Sequence, residues 1–280
     1  MVKADNSDVS VVILTKNSAR TIGKCLESVL QERPKEILAV DRLSRDGTLD
    51  ILEDYNVGIL TDSMGSLGYS RQLAVDSARG TYVMFVDSDA ELCKGCISTL
   101  RYELIRNNWA GIHAMLLSTD NLSYWQKSEN EKFSLTFNRP GPSKSIGTIA
   151  ALFRRDLLVK YPFDANLAEA AEDIDVCLRL RKCGYAVGIS SAIAYHHHRQ
   201  ELSAFIRQRF NYGLGDAKLG VKHRSTEMLI NPLRSGVFYA IYSLVTNRAR
   251  LIPFWLTGAI VQFAGVIVGV SRARSRFPST

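Results

Sequence analysis

The stretch Thr81-Tyr82-Val83-Met84-Phe85-Val86-Asp87-Ser88-Asp89 decides how the rest of the chain is interpreted. Its first six residues are mostly apolar, β-branched or aromatic, and they predict a buried strand. Two carboxylates one residue apart follow at the carboxyl end, where open α/β sheets bind their ligands. Such oxygen atoms suit a hard divalent cation that also contacts the phosphates of a substrate. A solvated turn is the alternative, because Asp and Ser are common in turns.

Strand-like and helix-like segments alternate on the amino-terminal side of this stretch. Continuous apolar runs predict strands at residues 9–14, 36–40 and 57–60, and helical spacing predicts helices at 18–30, 49–55 and 68–78. This alternation predicts an α/β fold with a doubly wound, mostly parallel sheet.

The pattern beyond the stretch is less regular. Residues 121–147 are polar and contain the loop signal Arg139-Pro140-Gly141-Pro142, so we expect a long loop that is either a substrate-binding flap or a surface excursion. Strands are expected again at 148–153 and 186–189, and helices at 156–160 and 172–183.

Charge is distributed unevenly along the 280 residues, whose net charge is +7. Residues 1–198 carry 23 Lys and Arg against 25 Asp and Glu, whereas residues 199–280 carry 12 against 3. The basic excess lies beside apolar segments, so it favours anionic lipid headgroups over nucleic acid as the partner. A hydrophobic fraction of 46% excludes a disordered chain.

The carboxyl-terminal tail predicts membrane association. Residues 251–271 contain no charge and lie between Arg250 and Arg272, and as a helix they would be about 31 Å long, close to the thickness of the bilayer hydrocarbon. Residues 235–247 are also uncharged but would form a helix of only about 20 Å. We expect one interfacial or re-entrant helix and one spanning or deeply inserted helix. A pair of buried helices in a soluble domain is the alternative.

Five cysteines, an odd number, and the absence of an amino-terminal signal peptide indicate a reducing compartment. Cys93-Lys94-Gly95-Cys96 has the spacing of zinc ligands, and Cys177 and Cys183 would complete a four-thiolate site only if the fold brought them close. Small buried hydrophobic side chains are the favoured interpretation of these cysteines.

Four landmarks occur in an order that resembles the inverting, GT-A-fold glycosyltransferases of family 2. The resemblance covers about residues 9–200. The landmarks are Ser10-Val11-Val12-Ile13-Leu14-Thr15-Lys16-Asn17, Val40-Asp41-Arg42-Leu43-Ser44-Arg45-Asp46-Gly47-Thr48, Ala78-Arg79-Gly80 before the Asp87-Ser88-Asp89 strand, and Glu172-Asp173-Ile174-Asp175-Val176-Cys177-Leu178-Arg179-Leu180-Arg181. The implied domains are a nucleotide-sugar-binding and catalytic domain at 1–200, basic and aromatic connecting helices at 201–232, and a membrane-associated tail at 233–280.

The resemblance implies a binding site for a nucleotide-sugar donor, either a UDP-sugar or a GDP-sugar. The residues expected to bind the donor are Thr15, Asn17, Asp41, Arg71, Asp87 and Ser88. Arg42-Leu43 depart from the family pattern, which usually has an acid or Asn and a Gly just after this Asp, and the identity of the nucleotide stays open. A turn cap at Asp41 and a surface Arg at position 71 are the alternatives.

A metal site and a general base are also implied. Asp87 and Asp89 would hold Mn²⁺ or Mg²⁺, and either His196 or His198 would complete the site, with imidazole favouring Mn²⁺. Asp173 would take the proton of the acceptor hydroxyl, and Glu172 would orient a neighbour or act as the fallback base. A solvated His run and acids that cap a helix are the alternatives.

Together these residues predict an inverting, metal-dependent glycosyltransferase on the cytoplasmic face of the membrane. Its acceptor is expected to be a hydroxyl, on a lipid-linked saccharide, because a shared surface raises the effective concentration of enzyme and acceptor. The Q-x-x-R-W motif of processive synthases is absent, which favours transfer of single sugars. A polyprenyl-phosphate glycosyltransferase, a sugar nucleotidyltransferase and a catalytically silent membrane-bound binder of nucleotide or sugar remain as alternatives.

Overall fold

A computed structural model describes residues 6–118, 123–198 and 201–273, and the chain divides into two units. The sheet unit comprises residues 1–120, 130–166 and 173–198, and the helical unit comprises 121–129, 167–172 and 199–280. Each is described by itself below.

The sheet unit contains nine strands in its described part. They are β1 (Asn6–Thr15), β2 (Pro34–Asp41), β3 (Gly58–Thr61), β4 (Tyr82–Asp87), β5 (Ala90–Leu92), β6 (Gly111–Leu117), β7 (Gly141–Ser143), β8 (Ala150–Arg154) and β9 (Val187–His196). The helices are α1 (Ile22–Gln31), α2 (Thr48–Asp54), α3 (Leu67–Ser77), α4 (Cys96–Arg106), α5 (Tyr124–Thr136), α6 (Arg155–Lys160) and α7 (Glu172–Lys182), of which α5 and α7 begin in the helical unit.

The strands form one mixed sheet in the order β3-β2-β1-β4-β8-β6-β9-β5, and β7 also pairs with β9. The pairings β3-β2, β2-β1 and β1-β4 are parallel, so the prediction of a parallel sheet is confirmed for this half. Among the described strands of the second half, only β6 and β9 pair in parallel, whereas β8 is antiparallel to both β4 and β6, and β5 and β7 are antiparallel to β9. The prediction of a mostly parallel sheet is therefore wrong for this half, and the whole sheet is mixed. A buried strand is apolar whichever way its neighbour runs, so the apolar runs did not encode this reversal.

Both faces of the sheet are covered, which explains why the central strands are continuously apolar. Alternate residues of β1 enter different cores: Val11 and Ile13 pack on the side of α1, whereas Val12 packs on the side of α3 and α7. In β4, Met84 packs on the side of α1 and Phe85 packs on the side of α3 and α7. This packing fixes the carboxyl ends of β1, β2 and β4 side by side at one edge.

Residues 121–147 are not one long loop. The described part of this segment contains the 13-residue helix α5 and the short strand β7. Only Gln126 and Ser128 of α5 are buried, so the helix has no apolar stripe that would reveal its period in the sequence. The structure also contains helix α4 and strand β6, which the sequence pattern does not predict.

The helical unit contains α8 (Leu202–Lys222), α9 (Thr226–Val245), a 3₁₀ turn (Ala249–Leu251) and α10 (Ile252–Ala273). The range Ala249–Arg272 has a mean hydropathy of 2.0 in its most apolar window, 39% of which is buried in the protein. By length and composition, this is the one helix in the described residues that is long and apolar enough to cross a membrane.

Candidate active site

Two acidic residues and a histidine converge at the carboxyl end of β4. One ligand atom from each of Asp87, Asp89 and His196 lies within 4.8 Å of the other two. Pairing between β5 and the end of β9 creates this arrangement, because Ala90 is opposite His196 and the backbone N–H of His197 donates to the carbonyl of Asp89 at 2.9 Å. A set of two carboxylates and an imidazole fits Mn²⁺ or Mg²⁺.

The geometry distinguishes His196 from His198, which the sequence left open. His196 Nε2 lies 3.3 Å from a carboxylate oxygen of Asp89. His198 is buried, and its ring is stacked on Phe133 with centroids 5.4 Å apart. The His198 and His196 rings meet edge to face, with centroids 4.8 Å apart. His196 is therefore the better-placed ligand, and His198 packs behind it.

In the described ranges, no other group of three or more His, Cys, Asp or Glu side chains has metal-binding geometry. Cys93, Cys96, Cys177 and Cys183 therefore do not form the four-thiolate site, and all are free thiols. Cys25 lies beneath the acidic cluster and donates from Sγ to the carbonyl of Asp87 at 3.5 Å. Burial, followed by the charges of Asp89 and Asp87, raises the pKa of the Cys25 thiol and keeps it protonated as a donor.

The residues expected to bind the nucleotide lie on adjacent strand ends and are linked to each other. Thr15 is opposite Asp41 in the β1-β2 register, and its Oγ1 donates to Asp41 Oδ1 at 2.9 Å. The buried Asp41 carboxylate also accepts from the backbone N–H of Ser44 at 2.9 Å and from its hydroxyl at 2.6 Å. Asp41 thus caps the turn after β2, as the alternative interpretation expects, and orders the loop that would meet a nucleotide.

Asn17 and Ser88 connect the loops at the same edge. Asn17 adopts a left-handed conformation with φ of 51°, and its Oδ1 accepts from the backbone N–H of Arg45 at 2.9 Å. The hydroxyls of Ser88 and Ser18 are 2.8 Å apart. The loops after β1, β2 and β4 are therefore held together before any ligand binds.

Asp62, at the end of β3, is a buried acid that the sequence did not single out. Its carboxylate lies 3.4 Å from Arg42 Nε and accepts from the Ser70 hydroxyl at 2.6 Å. It also accepts from the backbone N–H groups of Met64 and Gly65. Arg42, which departs from the family pattern, is thereby anchored to the loop that begins α3.

Arg71 precedes Asp87 and Asp89 in the sequence and Asp173 follows them, yet Arg71 and Asp173 interact electrostatically. Asp173 is the second residue of α7, and its Oδ1 accepts from the backbone N–H of Ile174 at 2.7 Å. Burial raises the pKa of Asp173, with a smaller contribution from the charge of Asp87, while the Arg71 guanidinium opposes the increase. The carboxylate is more basic than an ordinary Asp, as a proton acceptor should be. Glu172 precedes it as the buried first residue of α7.

The segment Gly147-Thr148-Ile149-Ala150 connects the groups just described. The buried Arg71 donates from Nη2 to the Thr148 hydroxyl at 2.5 Å, and the backbone N–H of Asp87 donates to the carbonyl of Ile149 at 2.9 Å. A Cβ at Gly147 would lie 3.6 Å from Asp173 Oδ2. This segment therefore brings the end of β4, Arg71 and Asp173 to one place.

His113 fixes the end of that segment. It is fully buried in β6, its Nδ1–H donates to the carbonyl of Ala114 at 2.6 Å, and its Nε2 accepts from the backbone N–H of Ala150 at 3.3 Å. Burial lowers the pKa of His113 to about 4, so the ring is neutral at physiological pH and keeps Nε2 as an acceptor. A histidine inside the apolar run Gly111–Leu117 was the signal that could have identified it.

Comparison with known proteins gives a family match. The family model described as Glycosyl transferase family 2 matches residues 10–161. The putative teichuronic acid biosynthesis glycosyltransferase TuaG of Bacillus subtilis is 38% identical over 197 residues, which cover 66% of this chain and 77% of that protein. The poly(ribitol-phosphate) beta-glucosyltransferase of Bacillus spizizenii is 41% identical over 92 residues, which cover 29% of this chain and only 14% of the relative.

Solved structures share the fold. Staphylococcus aureus TarS 1-349 in complex with UDP-GlcNAc has a TM-score of 0.53 at 18% identity and covers 96% of this chain and 92% of that one. GalNAc-T7 with UDP, GalNAc and Mn²⁺ has a TM-score of 0.57 at 15% identity and covers 69% of this chain and 44% of that one.

Proposed function

The chain belongs to glycosyl transferase family 2 and is a glycosyltransferase, and we propose that it is an inverting, metal-dependent enzyme that moves a sugar from a nucleotide-diphosphate donor to an acceptor hydroxyl. The observation that carries the proposal is the convergence of Asp87, Asp89 and His196 at the end of β4, together with Asp173, a carboxylate of α7 with a raised pKa that lies beside the segment 147–150 paired to that strand end. Metal ligands and a base in one cleft are what such a transfer requires.

The donor would bind across the ends of β1, β2 and β4. The ordered loops around Thr15, Asn17, Asp41 and Ser88 would receive the nucleoside, and the cationic Arg71 would face the diphosphate. A UDP-sugar is the first donor to test, because the solved structure of TarS contains UDP-GlcNAc, and a GDP-sugar is the second.

Asp87, Asp89 and His196 would hold Mn²⁺ or Mg²⁺, which neutralises charge on the departing nucleoside diphosphate when bound. Asp173 would accept the proton of the acceptor hydroxyl as that oxygen attacks the anomeric carbon from the face opposite the leaving group. The Arg71 guanidinium opposes the increase in the pKa of Asp173 and so favours the ionised carboxylate that a base requires.

The acceptor is proposed to be a lipid-linked saccharide at the cytoplasmic face of the membrane. The apolar Ala249–Arg272 helix supports a membrane location, and the names of two relatives refer to teichuronic acid and poly(ribitol phosphate). A polyprenyl-phosphate acceptor would require no base, so the surroundings of Asp173 favour a hydroxyl.

Thermal-shift measurements with UDP and GDP, with and without Mn²⁺, test the donor and the metal together. Nucleotide at about one hundred times its Kd stabilises the native state by about 2.7 kcal/mol, which should raise Tm by about 5 °C or more. The increase should require Mn²⁺ and should be lost in Asp89→Asn. If neither nucleotide raises Tm, or if the increase is equal without Mn²⁺ and in Asp89→Asn, the proposed site is wrong.

A further inference from the structure

The helical unit exposes a large apolar surface. Six side chains of α9 and α10 are between 59% and 80% exposed, and we call them the apolar face: Phe238, Ile241, Leu244, Val245, Ile260 and Ile267. A soluble protein rarely leaves so many large apolar side chains uncovered in neighbouring helices. On α9 they lie within an arc of about 120°, a third of the helix circumference, at 100° per residue.

The other side of α10 is occupied by α8. A side chain at Gly265 would collide with the carbonyl of Phe210, and one at Gly269 would collide with Ala217. At 100° per residue, these glycines lie roughly opposite Ile260 and Ile267. The two helices therefore touch closely along one side of α10, and the apolar face lies on the other side.

Helix α8 carries charges along this contact. Arg209 is buried and donates to Glu129 at 2.7 Å, and Asp216 accepts from Gln262 of α10 at 2.7 Å. Arg207, one turn before the contact with Gly265, is exposed. If α10 crossed a bilayer, α8 would carry these groups into the hydrocarbon, where charges are costly.

From this geometry we infer that α9 and α10 do not cross the membrane but lie in its surface, with the apolar face inserted into one leaflet that contains anionic lipids. Arg248 and Arg250 lie between the two helices, Arg272 lies at the end of α10, and no acidic residue follows Glu227. Basic side chains at the ends of an apolar face suit anionic headgroups, and interfacial helices bind in this manner. The inference deepens the membrane location proposed above, and its tests use no sugar donor, so it fails or succeeds separately from the transfer reaction.

Flotation of the full chain with lipid vesicles tests the partner. The protein should float with vesicles of phosphatidylcholine containing about 30 mol% phosphatidylglycerol and less with phosphatidylcholine alone. Ile241→Asp combined with Ile260→Asp should lower partitioning about tenfold or more. Ile105→Asp is the matched control, because Ile105 is 52% exposed on α4 of the sheet unit, and it should float like the wild type.

Thiol labelling distinguishes a helix in the surface from one that spans. In a Cys183→Ser background, which removes the exposed native thiol, Asn247→Cys and Ser271→Cys place one reporter at each end of α10. Both should react with a membrane-impermeant maleimide in sealed inverted membrane vesicles. Protection of either reporter until detergent is added would show a spanning helix and overturn the inference.

Light scattering measures the oligomeric state and so tests the alternative that a second copy of the chain covers the apolar face. If the protein without lipid is a dimer that Ile241→Asp dissociates, and if flotation does not depend on anionic lipid, the apolar face is a subunit interface and the inference is wrong. A monomer in detergent that floats only with vesicles supports it.

Discussion

Replacing Asp173 by Asn should remove the proton acceptor while leaving the cleft intact. Asn has nearly the same shape, and its Oδ1 can keep the hydrogen bond from the backbone N–H of Ile174 that Asp173 accepts at 2.7 Å. A general base contributes about 10² to 10⁴ in rate, so kcat should fall by that factor, equivalent to about 3–5 kcal/mol in the barrier. The Kd of the donor nucleotide should change by less than about threefold, because a general base acts in the transition state and does not contribute to ground-state binding of the donor.

The pH dependence gives an independent measurement of the same group. Burial and the charge of Asp87 raise the pKa of Asp173 against the opposition of Arg71. The base must be ionised, so kcat of the wild type should fall as pH decreases through a midpoint above the usual Asp value of about 3.9. In Asp173→Asn this limb should disappear.

Radiolabelled-sugar transfer, together with nucleotide binding by calorimetry, provides the assay. Asp175→Asn is the matched control on the same helix, because Asp175 is buried in an ion pair with Arg179 at 2.8 Å and its loss should lower Tm without lowering the kcat of folded protein. Retention of more than about one tenth of kcat in Asp173→Asn would refute the assignment of the base. A loss confined to Glu172→Gln would transfer the role to Glu172.

Three further outcomes are expected. His196→Ala should raise the Mn²⁺ concentration for half-maximal activity about tenfold or more, measured by metal titration, whereas His198→Ala should chiefly lower Tm. His113→Phe should lower the free energy of unfolding in urea by about 1–3 kcal/mol, because the backbone N–H of Ala150 loses its acceptor; unchanged stability would contradict this. Burial raises the pKa of Asp216 to about 6, so the stabilisation from protonating it is present at low pH and lost as pH rises from about 4 through 6. Asp216→Asn should therefore raise the free energy of unfolding by up to about 3 kcal/mol at pH 8 and by little at pH 4, and an equal gain at both pH values would show that ionisation is not the cause.

The local pattern of apolar residues was sufficient to predict the strands of the parallel half of the sheet. The runs at β1, β2 and β4 are apolar because both of their faces are covered, and each ends in a polar residue of the site, Thr15, Asp41 or Asp87. A strand and the residue that follows it are adjacent by covalent connection, so no tertiary information is required to place that residue at the sheet edge.

Local pattern was insufficient where a helix or strand lacks its own apolar period. Helix α5 buries two polar residues and no continuous apolar stripe, so it was indistinguishable from a loop. Strand β6 includes the buried His113, whose presence in an apolar run is explained by its hydrogen bonds to the backbones of Ala114 and Ala150. These bonds are visible only in the folded chain.

Residue types and their order were enough to predict the family, the acidic strand end, the two candidate acids at the start of α7 and the apolar tail. The folded chain was needed to show that His196 rather than His198 lies beside Asp87 and Asp89, because this depends on the register of β9 against β5. The folded chain also shows that one side of α10 is exposed and that the other is covered by the charged helix α8. The sequence does not distinguish these sides, because both are apolar and they differ only in what packs against them. Residue types and their spacing lie in the chain, whereas pairing across strands and helices arises from packing between segments far apart in it.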